Sequence, residues 1–262
     1  MSKKNYIIGA IAGDIIGSVY EFNNVKKLDF KLFSRKTTFT DDSVLTLATM
    51  DAIINHKNYT ENYQLFSRNY PHRGYGGRFY SWIYSENPEP YNSWGNGSAM
   101  RISPVGWFGN SVDEVMTEAK KSAEVTHNHI EGIKGAQSTA IAVYMARIGK
   151  NKDEIKNFIT DTFKYNLERK INDIRPHYKF DESCQGTVPE AIIAFLESTD
   201  FENAIRLAIS IGGDSDTIAC ITGGIAEAYY KNIPDYIIKN VLALLPDELT
   251  KIIEIFSMKY GK

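Results

Sequence analysis

The chain has 262 residues, 43% of them hydrophobic and 24% charged, with a formal net charge of -2. That composition suits a globular protein with a sizeable core, and the charge balance gives no reason to expect a nucleic-acid or membrane surface. Cys184 and Cys220 lie far apart and form no CxxC, which argues against a disulfide framework or a zinc site.

The first segment, "MSKKNYIIGAIAGDIIGSVYEF", sets Lys3 and Lys4 before an apolar run, as a signal peptide does. Asp14 interrupts that run, and Gly9, Gly13 and Gly17 recur every four residues. The spacing predicts a helix of the mature protein with a smooth strip for close packing. No segment approaches the ~20 uninterrupted apolar residues of a membrane span, and a cytoplasmic monomer is expected.

Helical periodicity continues in "DDSVLTLATMDAIINH" behind Thr40, and in "SVDEVMTEAKKSAEV" and "NHIEGIKGAQSTAIAVYMARIG". "TVPEAIIAFLES" has a start signal in Thr187 ahead of Pro189, and "FENAIRLAISIG" has one in Asp200. Alternating runs long enough for a central sheet are missing. The fold class expected is therefore all-α, a compact single-domain helical bundle over 1–262. Its least regular part is a long loop insertion around 68–107, rich in Gly, Pro, Asn and aromatics, and loops of that length usually carry function.

Two aspartates sit oddly in "SIGGDSDTIAC", between apolar flanks. Asp214 and Asp216 would diverge within a regular helix. The Gly212-Gly213 pair is expected to end one helix, leaving both acids on a turn that feeds the next. "TDD" at Thr40, Asp41 and Asp42 has the same grammar, although taken alone it reads first as a helix cap with acids suited to the helix dipole. Glu21, after the glycine-striped helix, reads equally as an exposed end. If the two turns meet, four carboxylates converge, or five with Glu21. Unit charges 4 Å apart interact by about 4 kcal/mol at an effective dielectric of 20, so such a cluster calls for protons or cations. Its hard oxygen donors would favour magnesium or manganese over zinc.

In order, "GAIAGDIIGSVYE", "TDDSVLTLAT", "GNGSAMRISPVGW", "THNHIEGIKGA" and "GGDSDTIACITGGIAEA" resemble the ADP-ribosylglycohydrolases, over nearly the whole chain. The resemblance implies an all-α bundle with a centre of two Mg2+ or Mn2+ ions. It implies hydrolysis of the N- or O-glycosidic bond between the distal ribose of ADP-ribose and an acceptor, with ADP-ribose released. Thr40, Asp41, Asp42, Asp214, Asp216 and Thr217 match the metal ligands of the family. Glu21, Asp216 and Asp41 are the catalytic candidates. Asn92, Ser93, Trp94, Gly95, Asn96, Gly97 and Ser98 match a loop that cradles the diphosphate with backbone N–H groups, and His127 matches a histidine beside the distal ribose. His129 reads as structural. Tyr75, Tyr91 and Trp94 are candidates for stacking on adenine, and Arg73 and Arg78 for meeting phosphates.

The expected substrate is an ADP-ribosylated protein or conjugate, with arginine favoured as acceptor. Serine- or nucleic-acid-linked ADP-ribose, a non-catalytic ADP-ribose-binding module, a crystallin-like structural protein and another dinuclear-metal hydrolase remain alternatives.

Overall fold

The computed structural model describes residues 6–261; Lys3 and Lys4 lie outside them. In chain order the helices are α1 (Gly9–Gly17), α2 (Asp41–Asn55), α3 (Tyr59–Asn69), α4 (Gly77–Ile83) and α5 (Gly97–Met100). There follow α6 (Ser103–Phe108), α7 (Val112–Glu124), α8 (Ile130–Arg147), α9 (Lys152–Phe163) and α10 (Ile171–Ile174). The last five are α11 (Cys184–Glu197), α12 (Phe201–Ile211), α13 (Ser215–Tyr230), α14 (Asp235–Leu244) and α15 (Asp247–Tyr260). The described residues contain no strand; a single bridge pairs Gly95 with Ser183. The fold is all-α, as expected. No described helix is long and apolar enough to cross a membrane.

The glycine strip explains how the centre is built. All of α1 is buried, and α13 is buried from Ser215 to Ala228. A Cβ on Gly9, Gly13 or Gly17 would lie 2.4 Å from the Gly223 carbonyl oxygen, 2.0 Å from that of Ala219, and 2.4 Å from Asp216 Cα. The two backbones therefore touch along three turns, which only residues without side chains permit. Each glycine costs about 1 kcal/mol of helix propensity against alanine, and the close packing offsets it. α8, α11 and α12 close around the other faces of α13.

Local signals mostly place the helix ends. Thr40 caps α2, its side chain accepting from the Asp42 N–H, and Asp200 caps α12 through the Asn203 N–H. Two expectations shift. α11 starts at Cys184 behind the cap residue Ser183, so Thr187 and Pro189 lie inside it. The stretch 68–107 contains α4, α5 and the start of α6, anchored by buried Phe79, Trp82, Ile83 and Met100. These helices run four to seven residues, too short to show a period.

Candidate active site

Six carboxylates gather where the ends of α1, α2 and α13 meet. Asp14, within α1, is fully buried and accepts four hydrogen bonds. They come from the Thr40 N–H at 3.0 Å, Thr40 Oγ1 at 2.6 Å, the Ser43 N–H at 3.1 Å and Ser43 Oγ. This carboxylate fastens the start of α2 onto α1. Asp42 is buried beside it; its Oδ2 accepts from Thr217 Oγ1 at 3.3 Å, and its Oδ1 has no hydrogen-bond partner.

The glycine pair acts as expected. α12 stops at Ile211, Gly212 and Gly213 take φ of 76° and 71°, and α13 starts at Ser215. Asp214 occupies the cap position but does not cap; its Oδ2 accepts from Asn96 Nδ2 at 2.6 Å. Asp216 falls in the first turn of α13, with its Cα against Gly17. Helix α1 ends at Gly17, so Glu21 lies in the turn beyond it, half-buried.

Two triads result. Ligand atoms of Asp14, Asp42 and Asp216 lie within 4.8 Å of one another, as do those of Glu21, Asp214 and Asp216. Asp216 belongs to both. Burial first, then neighbouring acids, pushes the carboxyls of Asp41, Asp42 and Asp216 well above the usual range. Burial and the charges of Asp214, Asp14 and Glu182 push Glu21 up to about 7. No lysine or arginine among the described residues forms an ion pair with any of these acids.

The residues present fit divalent cations. The donors are hard oxygens, no lysine or arginine among the described residues pairs with them, and the buried, orphaned Asp42 Oδ1 needs a partner. The Thr40 hydroxyl donates its proton to Asp14 and accepts from the Asp42 N–H at 3.3 Å. Asp41 stands outside both triads, with its N–H bonded to the Arg73 carbonyl at 2.8 Å and its carboxylate facing Gly74. Sequence reasoning missed Asp14 as a site residue. Its signal was present: it is the sole charged residue in an otherwise apolar helix.

These acids form one wall of a cavity of about 470 Å³. The opposite wall carries Arg73, Arg78, Tyr91, Ser93, Gly95, Asn96, Gly97, Arg101 and His127. The 91–97 loop is held by its backbone. The Tyr91 N–H donates to the Thr126 carbonyl, the Asn96 N–H donates to that of Glu182, and Cys184 Sγ donates to that of Gly95. Asn96 reaches the acid wall through its bond to Asp214, and its amide also donates to Thr187 Oγ1 at 3.0 Å. Asn92 sits at φ 53°, its N–H held by Asn128 Oδ1.

Other candidates are placed differently. Ser98 is buried and donates to the Gly132 carbonyl. Trp94 is 48% exposed and lies beside His129, which caps α8. Tyr75 packs on Phe79 outside the cavity lining, whereas Tyr91 lines it with Arg78 over its ring. His127 sits beneath the two loop glycines: Cβ atoms on Gly95 and Gly97 would fall 3.5 and 3.3 Å from its Nε2.

The ADP-ribosylglycohydrolase family model matches residues 4–261. The chain belongs to the ADP-ribosylglycohydrolase family. It is accordingly a hydrolase of that class. It is 27% identical to the ADP-ribosylhydrolase ARH3 of Xenopus tropicalis over 86% of this chain and 85% of that protein. It is 24% identical to the ADP-ribosylarginine hydrolase Tri1 of Pseudomonas putida, over 87% of this chain and 70% of that one. The structure of an ADP-ribosylglycohydrolase-related protein complex superposes with a TM-score of 0.74 at 20% identity, covering 96% of this chain and 95% of that one, which shows the shared fold.

Proposed function

We propose that this member of the ADP-ribosylglycohydrolase family is a metal-dependent hydrolase that cleaves ADP-ribose from arginine. The observation that carries the reading is the cavity itself, with two acid triads sharing Asp216 opposite a glycine loop and two arginines. The diphosphate would lie along the Gly95–Gly97 loop with Arg73 and Arg78 on its flank, which places the distal ribose over the acids. Asp42, Asp214, Asp216 and Thr217, with Asp14, Thr40, Asp41 and Glu21 beside them, would hold two magnesium or manganese ions. Such ions supply positive charge and polarise the oxygens they contact.

The chain's own residues supply the rest. The Glu21 side chain makes no hydrogen bond to the protein among the described residues, is half-buried, and sits on the turn beyond α1 and not in a helix, so it is the group free to move a proton at the leaving atom. Asp216, held against Gly17, fixes the distance between the two triads. The excess of carboxylates stabilises positive charge developing at C1 of the ribose. A cationic acceptor suits the cavity mouth, because Glu21 and Glu182 line it and neither forms an ion pair with a lysine or arginine among the described residues. The name of the Pseudomonas putida relative agrees with arginine.

The test is release of free ADP-ribose from arginine-, serine- and DNA-linked substrates, with and without EDTA. Turnover of the arginine conjugate alone, abolished by EDTA, is expected. Turnover unaffected by the chelator, or confined to another linkage, overturns the corresponding part.

A further inference from the structure

Arg101 is the largest fully buried side chain among the described residues. It makes no ion pair among the described residues, and its Nε and Nη1 have no hydrogen-bond partner. Its guanidinium lies over the Tyr63 ring, Cζ 4.3 Å from the centroid. Only Nη2 is bonded, donating to the Ser122 carbonyl at 3.0 Å and to Thr126 Oγ1 at 2.9 Å. A buried cation so sparsely paired is costly, and it lines the same cavity wall as His127.

The direction of the hydrogen bonds decides what this arrangement does. A guanidinium only donates, so Thr126 Oγ1 must accept from it. Thr126 is fully buried, and the other partner of its hydroxyl is His127 Nδ1 at 2.7 Å. The oxygen could accept a second time, but an Nδ1–H there would leave the buried hydroxyl proton without an acceptor among the described residues, so the proton goes to Nδ1, which accepts. A neutral imidazole with Nδ1 accepting carries its proton on Nε2, and Nε2 is the atom beneath Gly95 and Gly97.

We infer that Arg101 is a positioning residue that acts through Thr126 to hold His127 as the Nε2–H tautomer, a fixed hydrogen-bond donor into the cavity. A doubly protonated ring would donate Nδ1–H to the second lone pair of Thr126 Oγ1 and strand the buried hydroxyl proton without an acceptor. Burial, and secondarily the charge of Arg101, also keeps His127 well below its ordinary pKa. Around the ring stand Tyr91, with centroids 6.1 Å apart, and the glycines at 95, 97 and 132, and among the described residues Arg101 is the charged group that acts on it. His127 is thereby a donor to an oxygen of the bound ligand and not a base. That last step alone rests on the proposed ADP-ribose reading.

Long-range proton–nitrogen NMR of the imidazoles in the full chain tests the inference, with five histidines to separate and His127→Gln to assign the signal. The wild type is expected to show the Nε2–H pattern unchanged from about pH 5 to 8. Thr126→Val and Arg101→Met should give mixed tautomers, and Thr126→Ser should restore the single one. ADP-ribose affinity should fall about tenfold in Thr126→Val and recover in Thr126→Ser, as for one directed hydrogen bond.

An Nδ1–H tautomer in the wild type, a His127 cation near neutral pH, or an unchanged tautomer in folded Thr126→Val would each overturn the inference. A fixed tautomer in a protein that does not bind ADP-ribose would uphold the positioning role and remove the functional reading instead.

Discussion

Asn24 holds Gly213 at both of its backbone polar groups. Its Oδ1 accepts the Gly213 N–H at 2.8 Å and its Nδ2 donates to the Gly213 carbonyl at 3.0 Å. The same Nδ2 donates to the carbonyls of Tyr20 and Glu21, at 2.7 and 2.8 Å. One exposed amide thus joins the turn bearing Glu21 to the turn bearing Asp214. Lys26 reinforces the joint by donating to the carbonyls of Ile211 and Tyr178.

Asn24→Ala should cost about 1 kcal/mol of stability, as for lost hydrogen bonds at an exposed site, yet reduce turnover well beyond that. Two acids set by separate turns would lose their common reference. Thermal melting and release of ADP-ribose, measured on the same preparation, check this. Unchanged turnover in a protein that melts a few degrees lower would show that the two turns hold their positions independently.

The glycines of α1 should separate packing from chemistry. Gly13→Ala places a Cβ 2.0 Å from the Ala219 carbonyl oxygen, a rigid backbone atom, and should destabilise by about 1–3 kcal/mol or more. Gly17→Ala meets the Cα of Asp216 and should lower activity out of proportion to its melting temperature, because Asp216 is shared by both triads. Equal ratios of activity loss to stability loss in the two variants would contradict the assignment.

Much of this was legible in the sequence where one residue settles a local conformation. Gly212-Gly213 ends a helix because their positive φ suits glycine, and Thr40 opens one because its hydroxyl accepts an N–H. The glycine strip also announced close packing, though not its partner. Asp14 was harder, because its importance arises from Thr40 and Ser43, 26 and 29 residues away, which only the folded chain brings to it. The Arg101–Thr126–His127 chain was invisible for the same reason. Within 68–107, local pattern failed because α4 and α5 are shorter than the window in which a helical period shows.

Glu227 gives the stability a pH dependence independent of the acid cluster. It is buried, and its two oxygens accept the Ile8 and Gly9 N–H groups at 2.8 Å each, closing the start of α1. Burial raises its carboxyl from 4.5 to about 8, against the pull of those donors. A group raised in the folded state contributes most below its unfolded pKa. The protein should therefore lose stability as pH rises from about 4.5 toward about 8, by about 1.4 kcal/mol per unit of displacement at most. Glu227→Gln should be less stable at low pH, since its amide nitrogen cannot accept an N–H, and should lose this slope. Melting curves of both proteins across that range decide it, and parallel slopes would assign the dependence to another group.

The acid cluster itself predicts opposite effects on stability and function. Asp216 is buried, and the carboxylates of Asp214, Asp42 and Glu21 all raise its pKa. Asp216→Asn removes one like charge from a cluster that pairs with no lysine or arginine among the described residues, so in EDTA the variant should melt above the wild type, by about 2–4 °C for each kcal/mol recovered. Magnesium or manganese should stabilise the wild type by mass action and leave the variant nearly unmoved, because both triads lose the ligand they share. Turnover should vanish with the metal-induced shift. A variant that melts lower in EDTA would mean that Asp216 is held by favourable contacts with the protein. A variant still stabilised by magnesium would mean that the cations are held without the residue common to both triads.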